Sequence, residues 1–289
     1  MSASTEQDRA RSIHGGTRTL GVIGWPVEHS LSPAIHNAAF RSMGLPWVYL
    51  PLPVAPGTLP QALAGLVALG FEGANVTMPH KTEAAELADE LTEDARLLRA
   101  ANTLTVQNGA ILGDNTDAPG FERFLRADAG FEASGASVLL FGAGGAARAV
   151  ALALARSGVA ALTVAAREPA TAMAIVELLD GFTVEVRAIP LEEATGSEAD
   201  LIVNATPVGA DGVGTLPAPA LGPSVVVVDL LYRSMTPLLA SAERAGSTSF
   251  SGLGLLVQQA ALSFERWTER PAPLAQMAEA ARAASADLA

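Results

Sequence analysis

The chain has 289 residues, 18 of them basic and 30 acidic, for a formal net charge of −12. A hydrophobic share of 49% excludes a disordered chain, and zero cysteines exclude disulfides, thiolate catalysis and cysteine-ligated zinc. The acidic balance argues against a nucleic-acid partner, and no apolar run reaches the roughly 18 residues of a membrane span.

Length predicts about two domains. The polar head, Met1–Thr17, is expected to fray, and the absence of an apolar h-region in Met1–Thr19 points to a cytoplasmic protein. Beyond it, short apolar runs alternate with helical patterns, which predicts βα units and a mostly parallel sheet. Leu20–Gly24 reads as the first strand. Ser32-Pro33 opens a helix, with the hydroxyl as N-cap and the proline at N1. Trp47–Leu52 is the next strand, and Thr58 with Gln61 reads as a capping box. Gly73–Thr77 is a short strand, after which Pro79 starts helix to about Arg99. Thr103–Val106 and Ile111–Gly113 flank Asn108-Gly109, a strong hairpin signal. Pro119–Asp128 reads as helix. Val138–Phe141 is then a continuous apolar run, the mark of a strand buried on both faces. Further runs stand at Leu162–Ala166, Val184–Ala188, Leu201–Asn204 and Val225–Leu230. Gly252–Thr268 has a long helical pattern, and the alanine-rich tail Met277–Ala289 also suits helix.

Between the buried run and the next helix lies Gly142-Ala143-Gly144-Gly145-Ala146-Ala147, which fits G-x-G-x-x-A at Gly142, Gly144 and Ala147. The first glycine permits a tight turn and the second lets backbone approach a pyrophosphate. The small third residue packs helix on strand, and the helix N-terminus offers N–H groups to the anion. The expected fold is therefore α/β with two domains. A doubly wound Rossmann-type dinucleotide-binding domain covers 119–250, and an N-terminal α/β substrate-binding domain, discontinuous in sequence, covers 1–118 plus 251–289. Arg167 at the end of the next strand favours NADP, because a guanidinium accommodates a 2′-phosphate. Glu168 beside it would repel that phosphate or hold a ribose hydroxyl, which keeps NAD open.

Polar clusters stand at successive strand ends of the first domain, where open α/β sheets hold ligands. They are Gly24–Pro33, Asn75–Lys81, Ala101–Thr103 and Gly113–Asp117. Taken singly, Ser32 and Asp117 read as helix caps and Asn75 and Asn102 as turn residues. Their joint occurrence points to a site. Lys81 is the only lysine among the 18 basic residues.

These clusters resemble the shikimate dehydrogenases. That family carries G-x-P-x-x-H-S-x-S-P-x-x-H-N, here Gly24, Pro26, His29, Ser30, Ser32, Pro33, His36 and Asn37. It carries N-V-T-x-P-x-K, here Asn75 to Lys81, then A-N-T at Ala101–Thr103 and G-D-N-T-D at Gly113–Asp117. The likeness continues through Asn204-Ala205-Thr206, Asp229–Tyr232, Thr236-Pro237-Leu238, Gly252-Leu253-Gly254 and Gln259-Ala260. The resemblance implies reversible NADPH-dependent reduction of 3-dehydroshikimate to shikimate, in aromatic amino-acid biosynthesis, with the substrate between the domains. Matched motif to motif, Lys81 and Asp117 are the catalytic pair, and Ser30 and Ser32 bind the ring carboxylate. Thr77, Asn102 and Gln259 bind ring hydroxyls or the carboxylate, with Tyr232 nearby. Gly142, Ala143, Gly144, Gly145, Ala146, Arg167, Asn204, Thr206 and Gly252 line the cofactor. The chemistry suits a lysine: a developing alkoxide needs a proton and a positive charge beside it, and an arginine, always charged, could not also take the proton back.

Three positions depart from the family pattern. Ala166-Arg167-Glu168 replaces the frequent Asn-Arg-Thr, with Thr171 at a later basic position. Leu255 stands where methionine is common, and Pro207–Ala210 replaces Ser-x-Gly-Met. The alternatives are a quinate or aminoshikimate dehydrogenase using NAD, and a non-catalytic NADP-binding sensor, which would have no chemical reason to keep the pair Lys81 and Asp117. His29, His36 and His80 are expected to be structural, and no metal site is expected. The expected partner is a small-molecule substrate, with the chain acting as a monomer or homodimer.

Overall fold

The computed structural model describes residues 13–287; most of the head expected to fray lies outside the described residues. The chain divides into two compact units. The first runs to Thr116 and resumes at Gln259, and the second takes Asp117–Gln258. The return thus falls at Gln259, later than the expected 251, and inside a helix. The reason is local packing: Gly254 lies against the Phe124 ring and Gln258 donates to Asp128 at 2.9 Å, so the helix's first turns belong to the second unit.

The first unit contains β1 (Arg18–Gly24), α1 (Ser32–Ser42), β2 (Trp47–Pro53), α2 (Leu59–Ala68), β3 (Gly73–Val76) and α3 (Lys81–Leu87). It continues with β4 (Glu90–Leu91), α4 (Glu93–Leu98), β5 (Thr103–Gln107) and β6 (Ala110–Asp114). The sheet order is β2-β1-β3-β5-β6-β4. β1 runs parallel to β2 and β3, whereas β5 is antiparallel to β3 and β6. The hairpin turn forms at Asn108 (φ 53°) and Gly109 (φ 82°), the two positive angles a two-residue type I′ turn needs.

Three local expectations are corrected. The helix expected over Pro79–Arg99 is broken, because the segment after Leu87 pairs with β6: Asp89 N–H donates to Ile111 at 2.9 Å and Thr92 N–H to Gly113 at 3.0 Å. Ser32 is the first residue of α1, and the N-cap position belongs to Leu31, without a side-chain bond. Thr58 stands at the N-cap of α2, yet its hydroxyl donates back to Ala55 O at 2.7 Å, so the capping box does not form.

The edge strand β2 is closed to further pairing. Val54 N–H points to Gly24, so by alternation residues 49, 51 and 53 face outward. Pro51 and Pro53 have no N–H, and the Asn37 amide takes both main-chain groups of Tyr49, at 2.9 and 2.8 Å.

The second unit contains α5 (Asp117–Ala127), β7 (Ser137–Phe141), α6 (Gly145–Arg156), β8 (Ala161–Ala166), α7 (Pro169–Leu178) and β9 (Glu185–Pro190). It continues with β10 (Leu201–Asn204), β11 (Val226–Asp229), α8 (Pro237–Ala245), β12 (Thr248–Ser251) and the start of α9 (Leu253–Thr268). The helix α10 (Leu274–Ala286) returns to the first unit and packs on α1. The sheet order is β12-β11-β10-β7-β8-β9, with every neighbouring pair parallel. In order of appearance this is 3-2-1-4-5-6, the doubly wound Rossmann arrangement, with its switch point between β7 and β10. Val138, Leu139, Leu140 and Phe141 are all buried, each contributing roughly 1.5–3 kcal/mol. β12 has no apolar run to announce it and sits at the sheet edge. No described helix is long and apolar enough to cross a membrane.

Candidate active site

Strand register assembles the first unit's polar clusters. Val22, Asn75, Thr103 and Asp114 stand in one row across β1, β3, β5 and β6. β1, β3 and β6 leave the sheet just beyond that row, and β5, running the other way, enters there. Four segments distant in sequence therefore meet along one edge. Main-chain bonds knit them: Trp25 N–H to Met78 O at 3.0 Å, Thr77 N–H to Ile23 O at 2.8 Å, Ala101 N–H to Lys81 O at 2.8 Å and Asn102 N–H to Asp114 O at 2.9 Å.

Along this edge Ser32 and Asn102 are buried, while Ser30, Thr77, Lys81 and Gln259 are half-buried. Ser30 Oγ accepts from Ser32 N–H at 3.3 Å, which holds the two serines together ahead of α1. Lys81 is the first residue of α3. Thr116, the last residue of the first unit before the crossing, donates its N–H to Asn102 Oδ1 at 2.8 Å, and its hydroxyl lies 3.5 Å from Gln259 Oε1. Asp117 opens α5 in the second unit, half-buried. Asp114 accepts from Thr92 Oγ1 at 2.6 Å and pairs with Arg266, tying α9 to β6 directly ahead of this crossing.

Beneath the edge lies a polar cluster that the motifs marked only in part. Asn75 accepts from the Tyr49 hydroxyl at 2.7 Å and donates toward Asn102 O, Thr103 Oγ1 and Ser263 Oγ at 2.9–3.0 Å. Burial pushes the Tyr49 phenol well above its usual pKa, with Ser32 and Asn75 opposing as hydrogen-bonding neighbours. No motif named Tyr49; its only sequence signal is an aromatic residue in a strand flanked by prolines. His36 is fully buried and stacks on Tyr49 at 4.4 Å with planes 9° apart. Burial lowers its pKa to about 3, so its ring is neutral. His80 is buried too, its Nε2 2.7 Å from Val54 O, an acceptor that calls for N–H on that nitrogen. His29 is exposed.

In the second unit the glycine turn follows β7 at the switch point. Gly142 has φ 108°, and a Cβ there would come within 3.0 Å of Thr206 Cγ2 and 3.1 Å of Ala205 O. The turns after β7 and β10 therefore close on each other only with glycine at this position. Around Gly144 and Gly145 nothing lies within 4 Å of where a Cβ would stand, and Gly144 caps α6 without a side-chain bond. The first N–H groups of this twelve-residue helix have no partner within the helix. Open space before such N–H groups fits a dinucleotide pyrophosphate, held by Gly142 to Ala146. Arg167 is exposed at the end of β8. The Thr171 hydroxyl donates to Glu168 O at 2.7 Å.

Asn204, expected at the cofactor, holds the turn after β10 with its side chain. It is fully buried; Nδ2 donates to Asp229 Oδ1 at 3.0 Å and Val208 O at 3.2 Å, and Oδ1 accepts from the Thr206 N–H and hydroxyl. Its amide is fully engaged inside the unit. Asp229, within a motif visible in the sequence, also accepts from Thr236 Oγ1 at 2.7 Å and Leu231 N–H at 3.0 Å. Burial pushes its carboxyl up, and these bonds oppose that. Gly252 is held by close approach, since a Cβ there would lie 2.0 Å from Leu230 O. Tyr232, half-buried, has its phenol pushed up by burial, with Arg233 opposing.

Comparison with known proteins matches three stretches of the chain. Residues 22–104 match the family model described as shikimate dehydrogenase substrate binding domain, and 126–210 that described as shikimate/quinate 5-dehydrogenase. Residues 252–282 match the shikimate 5′-dehydrogenase C-terminal domain. A curated relative from Methanopyrus kandleri, named shikimate dehydrogenase (NADP(+)), is 45% identical over 279 residues, 93% of this chain and 96% of its own length. The solved shikimate 5-dehydrogenase of Thermus thermophilus, in complex with NADP(H) and shikimate, is 38% identical with a TM-score of 0.83, covering 92% of this chain and 99% of that one. Quinate dehydrogenase from Corynebacterium glutamicum, in complex with NAD, has the same TM-score of 0.83 at 30% identity, covering 92% and 99%.

Proposed function

Because the chain belongs to the shikimate dehydrogenase family, we propose that it catalyses the reversible NADPH-dependent reduction of 3-dehydroshikimate to shikimate. The observation that carries the reading is the row of strand ends that gathers Ser32, Thr77, Lys81 and Asn102 along one sheet edge. Gly142 to Ala146 would hold the dinucleotide pyrophosphate and Arg167 its 2′-phosphate. When bound, the nicotinamide supplies the hydride. The ammonium of Lys81 gives a proton to the ring oxygen as the ketone becomes an alkoxide, and takes it back in the oxidative direction. The carboxylate of Asp117 serves the same ring position, balancing that ammonium and accepting from a neighbouring hydroxyl. Ser30 and Ser32 donate to the ring carboxylate, while Thr77, Asn102 and Gln259 hold ring hydroxyls, with Tyr232 nearby. With a net charge of −12, binding of two anions rests on these local donors and not on the protein's overall field.

Curated relatives at 41–45% identity carry the name shikimate dehydrogenase (NADP(+)), so the quinate and sensor alternatives are not favoured. The test is kcat/KM for shikimate and for quinate with each cofactor. Shikimate with NADP is expected to lead. A tenfold advantage for quinate with NAD, or no turnover of any pair, overturns the reading.

A further inference from the structure

We propose that Tyr49 is a positioning residue for the substrate, acting through Asn75 and Thr103 to fix Asn102. The inference rests on the reading above and concerns how one of its binding residues is held.

The orientations of the Asn102 and Asn75 amides follow from groups whose roles are not adjustable. The Thr116 main-chain N–H is a donor only, so the Asn102 atom 2.8 Å from it is the oxygen. Asn75 lies 3.0 Å from the main-chain oxygen of Asn102, an acceptor only, so that end of the Asn75 amide is its nitrogen. Asn75 Oδ1 therefore faces Tyr49, and the 2.7 Å contact requires the phenol to donate. Asn75 Nδ2 donates to Thr103 Oγ1 at 3.0 Å, and the one proton of the Thr103 hydroxyl has Ser263 Oγ at 2.8 Å and Asn102 Oδ1 at 3.0 Å as acceptors. Tyr49, Asn75, Thr103 and Asn102 thus form one connected chain, with Asn75 also donating to the Asn102 main-chain oxygen, and every member is buried.

Its starting point is rigid. Asn37 clamps the Tyr49 main chain on both sides, and the His36 ring lies flat on the phenol ring. Neither ring nitrogen of His36 has a hydrogen-bond partner, so the ring's contribution here is stacking. Without the Tyr49 proton, Asn75 Oδ1 becomes a buried acceptor with no donor. A half turn of its amide then becomes competitive, although it would set Oδ1 against Asn102 O and Thr103. Asn102 then loses the Asn75 donor that braces its main-chain oxygen, while the Thr116 N–H still holds its Oδ1.

Tyr49→Phe deletes the hydroxyl while keeping the ring. Its KM for shikimate is expected to rise about tenfold, with kcat within about threefold of wild type, as for loss of uniform binding. Thr103→Val, of similar shape, should reproduce the KM effect, and Thr103→Ser, which keeps the hydroxyl, should restore near-normal KM. In an Asn102→Ala background Tyr49→Phe should add nothing further to KM. Unchanged KM in Tyr49→Phe overturns the proposal, as does a full additive effect in the Asn102→Ala background. A wild-type protein that turns over no shikimate overturns the function reading and this inference with it. A wild type that does, beside an unaffected Tyr49→Phe, overturns this inference alone.

Discussion

The two units build ligand sites from different materials. The first buries polar side chains under a mixed sheet: Ser32, Tyr49, Asn75, Asn102, Thr103, Thr116 and Ser263 lie behind one edge, joined by oriented hydrogen bonds. The second buries an almost wholly apolar parallel sheet and offers main chain to the proposed dinucleotide, at the glycine turn and the start of α6. The difference follows from what is recognised. A ring bearing several hydroxyls needs donors and acceptors in set places, whereas a pyrophosphate needs N–H groups and room. Single polar atoms should therefore disable the first unit, and a single added methyl the second.

The largest effect should come from the chemistry itself. Lys81→Ala is expected to lower kcat by about 10²–10⁴-fold while leaving NADPH affinity, read by nucleotide fluorescence, unchanged. Near-normal turnover would remove Lys81 from the mechanism.

The converse change adds a methyl at the glycine turn. Gly142→Ala meets both the unfavourable φ of 108° and the Thr206 contact at 3.0 Å. Strain of about 1–3 kcal/mol is expected, with a lower melting temperature and at least tenfold weaker NADPH binding, but unchanged shikimate binding. A drop confined to shikimate affinity would contradict the division of labour between the units.

Arg167→Ala should move the NADPH-to-NADH affinity ratio by about tenfold, because the proposed 2′-phosphate contact rests on one exposed guanidinium. Equal weakening of both nucleotides would place that contact elsewhere.

A different kind of effect, on stability, belongs to the first unit. His36 titrates at about 3 when folded and near 6.5 when unfolded. Between those values the unfolded chain binds a proton that the folded one refuses. Stability is therefore fully present above about pH 6.5 and falls by up to about 1.4 kcal/mol per pH unit toward 3. Denaturant unfolding from pH 7 to 4 should show a shallower acid limb in His36→Leu than in wild type, and equal slopes would rule His36 out as the cause.

Legibility also differed between the units. The second was readable because each of its central strands is a short apolar run: Leu201–Asn204 appears residue for residue, and the G-x-G-x-x-A turn lies between its strand and helix. In the first, polar residues mark the strand ends, and their local readings competed. Ser32 and Thr58 have the residue type of a cap without making its bond, and the Pro79–Arg99 pattern has helical spacing until β6 draws Glu90–Leu91 into the sheet. Asn204 looked like a ligand contact because its motif borders the cofactor turn, yet its four bonds turn inward.

The sequence by itself determined the alternation of strands and helices, the glycine turn, the hairpin at Asn108-Gly109 and the position of its only lysine. Those features depend on neighbours within a few residues, where propensity, capping and φ restrictions act. Only the tertiary structure decided that Tyr49 and Asn75 stand behind Asn102, that Asp229 holds Asn204, and that α9 passes from one unit to the other. Hydrogen bonds between residues 25 to 188 apart depend on strand register and burial, and no local pattern carries that information.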